Sequence, residues 1–175
     1  MKSYLSNEYV KLRAMEPEDL HLMYKIENNP DLWEVSSFTV PYSRYALKEY
    51  IEQSQSDIFA DKQLRLMIVR CADNRVVGTI DITDFVPLHA RGALGIAILE
   101  EFRHKGYARN ALELLCEYAF EFLRMKQLYA HVPVDNTSSL NLFLNNGFQQ
   151  CGVLKEWIQS GNVYKDVFLL QKIRT

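Results

Sequence analysis

Cysteine is scarce in this chain: Cys71, Cys116 and Cys151 are odd in number and widely spaced, which excludes a disulfide framework and argues against a zinc site. All three are read as buried or idle thiols. The four histidines, His21, His89, His104 and His131, are scattered too, without the i, i+4 pairing of a metal-binding helix, so no metal is expected. No apolar run is long enough to cross a bilayer, and no apolar leader segment follows Met1-Lys2-Ser3-Tyr4. No membrane partner is expected, and the cytoplasm is the expected location. Excess charge is missing as well. Twenty Lys and Arg against 22 Asp and Glu leave a net charge of -2, which gives no bulk electrostatic case for nucleic acid. The expected partner is therefore small. Finally, there is no P-loop G-K-[ST], no Rossmann G-x-G-x-x-G and no G-x-S-x-G nucleophile elbow, so neither nucleotide motif nor covalent catalysis has support.

What is present is an ordinary globular composition, 48% hydrophobic and 24% charged over 175 residues, enough for one domain (1–175) with its own core. No repeat or linker interrupts it. Residues 9–14 alternate as a strand, and Pro17, among Glu16, Glu18 and Asp19, opens a helix that stops near Asn28-Asn29-Pro30. A second helical region spans about 43–59. Strands at 64–71 and 76–85 form a hairpin around 72–75, and a third strand covers 93–99. A helix at 107–123 and a strand at 128–134 follow. Asp135-Asn136-Thr137-Ser138 caps a short helix ended by Gly147, and strands 149–158 and 163–171 close the chain as a hairpin. The order β-α-α-β-β-β-α-β-α-β-β predicts an α/β fold of about seven strands and four helices, a mixed sheet with helices on its faces.

The most informative stretch joins the third strand to its helix. The continuous apolar run 93–99 has the pattern of a strand buried on both faces, and Tyr107, Ala111, Leu114, Leu115 and Tyr118 then recur at helical spacing. Between them lies Arg103-His104-Lys105-Gly106-Tyr107-Ala108, an R-x-x-G-x-A turn. A helix entered this way points its first N–H groups and its positive dipole end back at the turn, where an anion belongs. Arg103, Lys105 and Arg109 add formal charge, and Gly106 permits close approach of a ligand. The same turn is also a common join in α/β proteins, and taken alone it is equally consistent with topology.

This order, together with E-E-F-R-H-K-G-Y-A-R-N-A-L at 100–112 and N-T-S-S-L-N-L-F-L-N-N-G-F at 136–148, resembles the GNAT superfamily of acetyl-CoA-dependent N-acetyltransferases. V-K-L-R-A-M-E-P-E-D-L at 10–20, and G-V-L-K-E-W at 152–157 with Tyr164 and Asp166, are similar to the branch of ribosomal-protein alanine and spermidine N-acetyltransferases. The resemblance implies a central, mostly antiparallel twisted sheet and acetyl-CoA as donor, with no metal. It gives the pyrophosphate to the backbone of 103–108. It implies that Ile96 and Ile98 hold the pantetheine arm through their main chains, with the Ile96 N–H near the thioester carbonyl, where it stabilises a developing oxyanion. Asn136, and less directly Ser139, are implied on the cofactor side.

An amine with a pKa near 10 must lose a proton before it attacks. Thr79, Asp81 and Thr83 share one strand face with Asp84 at its end, so Asp81 and Asp84 read either as a base or cation-binding rim, or as a solvated face. Glu34 resembles the acidic loop by which polyamine acetylators hold cations; His89 reads as a loop histidine. Many members of the family place a tyrosine as general acid where this chain has Phe143, a ring that has no proton to give. The thiolate then relies on its own pKa near 8.5. The expected function is transfer of an acetyl group to a primary amine, on a polyamine or a peptide N-terminus, in a ternary complex, with a homo-oligomer as a further expectation. The alternatives are a non-catalytic acyl-CoA-binding module, which Phe143 favours, and an α/β domain whose phosphate turn serves another cofactor.

Overall fold

The structure is a computed structural model that describes residues 3–33, 40–54 and 57–175. Seven strands form one sheet in the order β1-β2-β3-β4-β5-β7-β6. The strands are β1 (Val10–Arg13), β2 (Leu64–Arg70), β3 (Val76–Val86), β4 (Arg91–Ile98), β5 (Gln127–Pro133), β6 (Gln149–Ser160) and β7 (Val163–Ile173). Every neighbouring pair is antiparallel except β4–β5. The helices are α1 (Leu20–Glu27), α2 (Pro30–Trp33), α3 (Arg44–Gln53), α4 (Ile58–Asp61), α5 (Tyr107–Glu117) and α6 (Thr137–Leu144).

Alternation along the central strands sends one residue set to each face. On one face Leu66 and Ile68 of β2 and Ile80 and Ile82 of β3 pack with Leu112, Leu115 and Ala119 from α5 and its extension. On the other, Met67 and Val69 pack with Met15, Met23, Leu47 and Ile51, which brings α1 and α3 onto that side. β2 is therefore buried on both faces although it is antiparallel to both neighbours, and it reads as the near-continuous apolar run such burial demands.

Local chemistry sets the helix ends. Asp19 Oδ2 accepts from the Glu16 N–H at 2.8 Å while both Asp19 oxygens take the Arg13 guanidinium, tying the start of α1 to the end of β1. The single helical region expected over 43–59 is two helices. Ser43 caps α3 by accepting from the Ala46 N–H, Ser54 turns extended, and Asp57 restarts the chain as α4 by accepting from the Phe59 N–H. The expected helix 107–123 is α5 followed by a π-turn at Tyr118–Phe122, in which the Leu123 N–H reaches back to the Tyr118 carbonyl.

The feature that positions the site is the brevity of the parallel pairing. β4 and β5 match only at Arg91↔Gln127, Gly92↔Leu128 and Ala93↔Tyr129, and then part. The expectation that β4 is buried on both faces therefore fails beyond Leu94: residues 95–99 are all half-buried. Their apolar side chains lie beside a gap in the sheet, and the sequence pattern does not distinguish such a gap from a core.

Candidate active site at the parting of two strands

Leu99 donates its N–H to the Val77 carbonyl across the β3–β4 ladder. Antiparallel pairing alternates, so the odd-numbered residues of β4 exchange hydrogen bonds with β3 and the even-numbered ones point the other way. The N–H and C=O groups of Ile96 and Ile98 thus face the gap that β5 has left. At the mouth of the gap the Arg103 Nε donates to the Ile98 carbonyl at 3.1 Å, which ties the phosphate turn to the end of β4.

The turn itself is built for an anion. His104 (φ 59°) and Gly106 (φ 85°) both take the left-handed conformation, and Gly106 is the N-cap of α5 without any side-chain cap. The first N–H groups of α5 are thus left to a ligand or solvent. A Cβ at Gly106 would meet nothing nearer than Asn110 Nδ2 at 3.8 Å, so the glycine serves conformation and ligand approach rather than packing. Asn110 steadies the turn by donating to the Gly106 carbonyl, and Lys105 donates to the Glu101 carbonyl. Tyr107 offers its backbone but not its ring, which lies edge-on to Phe102 with its hydroxyl near Arg70. Ala108 adds only a methyl group beside the turn. The elongated gap with free main-chain groups, ending at an uncapped helix, fits a cofactor with an amide-bearing arm and a pyrophosphate.

After β5, Asn136 caps α6, its Oδ1 accepting from the Ser139 N–H at 3.1 Å. Ser139 is held through its backbone. Phe143 is 4% exposed and packs edge-on to Phe148 at 5.0 Å, as part of the larger core. Phe143→Leu is therefore expected to cost about 1 kcal/mol of stability as a near-conservative apolar swap, and to leave turnover within a few-fold of wild type. Thermal unfolding and steady-state rates check this; complete loss of turnover in a folded variant with normal cofactor affinity would contradict it.

The face of the sheet toward α1 and α3 carries a buried ion cluster. Arg65 on β2 stands opposite Asp81 on β3, and its Nε and Nη2 both donate to Asp81 Oδ2, at 3.1 and 2.9 Å. Its Nη1 donates to Glu27 Oε1 at the end of α1. The side chains of Glu27, Asp81 and Arg65 are only 5%, 16% and 18% exposed. Burial pushes both carboxyls above their ordinary values against the pull of Arg65. Arg65, although burial opposes its charge, is held above the usual guanidinium value by Asp81 and Glu27. The solvated-face reading of Asp81 is thus replaced by a paired, largely buried carboxylate, whose Oδ1 leans over Gly95: a Cβ there would lie 2.6 Å away. Asp84 does not join this cluster. It sits exposed in an irregular stretch of β3 with φ 50°, on the side of Tyr129 and His131.

Beside the cluster a cavity of about 190 Å³ opens between α1, α3 and β2, lined by Met23, Glu27, Tyr42, Leu47, Tyr50 and Arg65. Its rim is fixed by Asn28, which accepts from the Tyr42 N–H at 2.7 Å and donates to the Tyr42 carbonyl. Glu34 lies outside the described residues. Sequence reasoning missed Glu27 and Arg65. The signal for Arg65 was a cation between Leu64 and Leu66 in an otherwise apolar run; Glu27 gave none. Among the described residues no group of three or more His, Cys, Asp and Glu is placed to hold a metal, and no helix is long and apolar enough to cross a membrane.

Residues 10–149 match the family description "Acetyltransferase (GNAT) domain". The chain is 27% identical over 161 residues to the spermidine N(1)-acetyltransferase of Vibrio cholerae, covering 92% of this chain and 91% of that one. It is 28% identical over 149 residues to the Escherichia coli K12 enzyme of the same name, covering 83% and 75%. The fold superposes on the crystal structure of the Vibrio cholerae spermidine N-acetyltransferase in complex with CoA and spermine with a TM-score of 0.83 at 25% identity, over 95% and 96% of the two chains. The matched span takes in the parting strands, the phosphate turn and the α6 cap together, and with them the chain belongs to the GNAT family as an acetyl-CoA-dependent N-acetyltransferase.

Proposed function

We propose that the acceptor is a polyamine, bound through its ammonium groups over the face of the sheet where Glu27 of α1 meets Arg65 and Asp81, with Asp84 set apart toward Tyr129 and His131. The observation that carries this reading is the buried cluster: two carboxylates share one guanidinium, and Asp81 Oδ1 is turned toward Gly95 on the rim of the gap. A net negative cluster in a site shielded from water attracts a primary ammonium more strongly than it would in bulk solvent. The similarity to spermidine N-acetyltransferases favours a polyamine over a peptide N-terminus.

The roles follow from placement. Acetyl-CoA supplies an acyl group already activated as a thioester. The backbone N–H groups of Tyr107 and Ala108, after Gly106 and between Arg103, His104 and Lys105, hold the pyrophosphate. Ile96 and Ile98 align the arm as an added strand edge would, and the Ile96 N–H stabilises charge on the carbonyl oxygen as the amine attacks. Asn136, its Oδ1 committed to Ser139, donates from its amide nitrogen. Phe143 is packed against Phe148 in the core, and no protein acid at position 143 serves the leaving sulfur. The reading includes the cytoplasmic location expected from the sequence. It also includes self-assembly, in line with the dodecameric Vibrio cholerae spermidine N-acetyltransferase that this fold matches at TM-score 0.79 and 26% identity.

The test is acetylation of an amine panel of polyamines, diamines and Ala- or Ser-terminated peptides, run with the wild type, Asp81→Asn and Asp84→Asn. A polyamine should give the highest kcat/KM. Asp81→Asn should raise its KM about tenfold, the loss expected from one charge-assisted hydrogen bond, with acetyl-CoA affinity unchanged. Preferential acetylation of the peptides would overturn the polyamine assignment.

A further inference from the structure

We propose that His131 is the base that takes the proton from the acceptor amine, with Trp157 and Asp166 as the residues that position its ring. The proposal rests on the reading of this protein as an amine acetyltransferase, and it adds to that reading the group that makes the amine nucleophilic.

The geometry comes from strand register. Arg65 pairs with Asp81, and Asp81 with Gly95, so these three stand in one row across β2, β3 and β4, on one face of the sheet. The β4–β5 pairing runs Arg91↔Gln127 to Ala93↔Tyr129, and two residues further along each strand are Gly95 and His131. His131 is thus the first β5 residue on that face beyond the last paired one. The row reads Arg65, Asp81, Gly95, the gap, His131. Gly95 puts no side chain between the carboxylate and the imidazole, and the next residue, Ile96, turns its N–H into the same gap. An amine seated over Gly95 lies between Asp81 Oδ1 and the His131 ring, beside the main-chain donor that faces the carbonyl it attacks.

The ring is held from outside the row. Its centroid lies 5.7 Å from that of Tyr129, nearly perpendicular, and 6.3 Å from that of Trp157, at an interplanar angle of 24°. Trp157 reaches it from β6 because the β6–β7 ladder breaks between Leu154 and Ile158, where Glu156 adopts φ 50°. Asp166 of β7 pins that break, with Oδ1 accepting from the Glu156 N–H at 2.9 Å and Oδ2 from Lys155 Nζ at 2.7 Å. The charged and titratable groups facing the imidazole are Asp84 from β3 and Tyr129 from β5, with Arg91 of β4 acting on Tyr129; β6 contributes only the non-ionising Trp157. Partial burial against these rings lowers the imidazole below its ordinary pKa although one side opens to solvent, while Asp84 pulls the other way.

The proton and electron balance is simple. An ammonium nitrogen has no lone pair, so one proton passes to the His131 imidazole before attack, an uphill step because the ammonium holds it more strongly, and attack on the thioester draws that step forward. The nitrogen lone pair forms the C–N bond and the C–S pair leaves on sulfur. One nitrogen proton passes to the imidazole and thence to water, and a second ends on the thiol. The net change is ammonium plus thioester to amide, thiol and one proton.

The experiment measures kcat/KM for spermidine from pH 5.5 to 9 in the wild type and His131→Gln, acetyl-CoA affinity in both, and the His131 imidazole resonances of the wild type titrated with spermine. The wild type should show an acidic limb with an apparent pKa below 6.5. His131→Gln should lose that limb and at least about 100-fold in kcat/KM, with acetyl-CoA affinity unchanged. The deficit should shrink for an acceptor whose amine is already unprotonated at pH 7, a signature that a merely structural role would not produce. Spermine should perturb the His131 resonances. A variant that keeps the limb, or stays within threefold of wild type, overturns the proposal while leaving the acetyltransferase reading intact. Undisturbed resonances in an active enzyme overturn it equally, and a wild type that acetylates no amine overturns both.

Discussion

Replacing Arg65 by Leu is expected to lower stability by about 3–5 kcal/mol, because it strands Glu27 and Asp81 as two buried carboxylates without their shared cation. For a domain of this size that corresponds to a fall in Tm of roughly 6–20 °C. The loss has a pH signature. Burial already holds both carboxyls above their ordinary values, and Arg65 is the group that opposes the shift, so its removal raises them further. A carboxyl whose folded pKa is raised contributes stability that is complete below its unfolded pKa, near 4, and is lost as pH rises through the folded value. The variant should therefore be nearest to wild type around pH 4 and furthest from it at neutral pH. Combining Arg65→Leu with Glu27→Gln and Asp81→Asn should recover much of the stability, since no unpaired charge then remains. Thermal unfolding from pH 4 to 8 decides it: a deficit that is constant with pH would mean that Arg65 acts through packing of its stem rather than through charge.

Gly106→Trp is expected to leave a folded protein that binds acetyl-CoA at least about 100-fold more weakly, the consequence of denying the pyrophosphate two backbone hydrogen bonds of charged type. The fold tolerates the change because a Cβ at Gly106 meets only Asn110 at 3.8 Å, and the left-handed φ costs about 1–2 kcal/mol. Gly106→Ala carries the same backbone strain with far less bulk and should fall between the two. Titration calorimetry with acetyl-CoA, alongside thermal unfolding, separates strain from occlusion. Equal affinities in all three proteins would remove the turn from the cofactor site.

The residues that were legible in advance were those whose role is local. The turn at 103–108 and the cap at Asn136 depend on backbone conformation and on side chains a few positions away, so spacing along the chain carries them. The alternation of β3 likewise placed Asp81 on a face before any partner was known. What the sequence did not reveal are contacts that close over long separations. The Arg65–Glu27 pair spans 38 residues, and His131 meets Trp157 only because a break in β6, held by Asp166, re-aims the indole. The parting of β4 from β5 was hidden for a different reason. An apolar strand bordering a gap has the same residue pattern as one enclosed in a core, and only the truncated register with β5 tells them apart. The division of 43–59 into two helices escaped because Ser54 ends α3 by its backbone conformation and Asp57 caps α4 through its side chain, and both residue types also occur inside helices.

The most direct measurement of the central claim, that the cofactor lies along the gap between β4 and β5 with its pyrophosphate on the start of α5, is backbone amide hydrogen exchange with and without acetyl-CoA. The amides of Ile96, Ile98, Tyr107 and Ala108 should slow markedly on binding, while those of Gly95 and Ala97, already paired with β3, and those of α3 should hardly change. Protection that appears elsewhere and leaves Ile96, Ile98 and the turn unaffected would contradict the account.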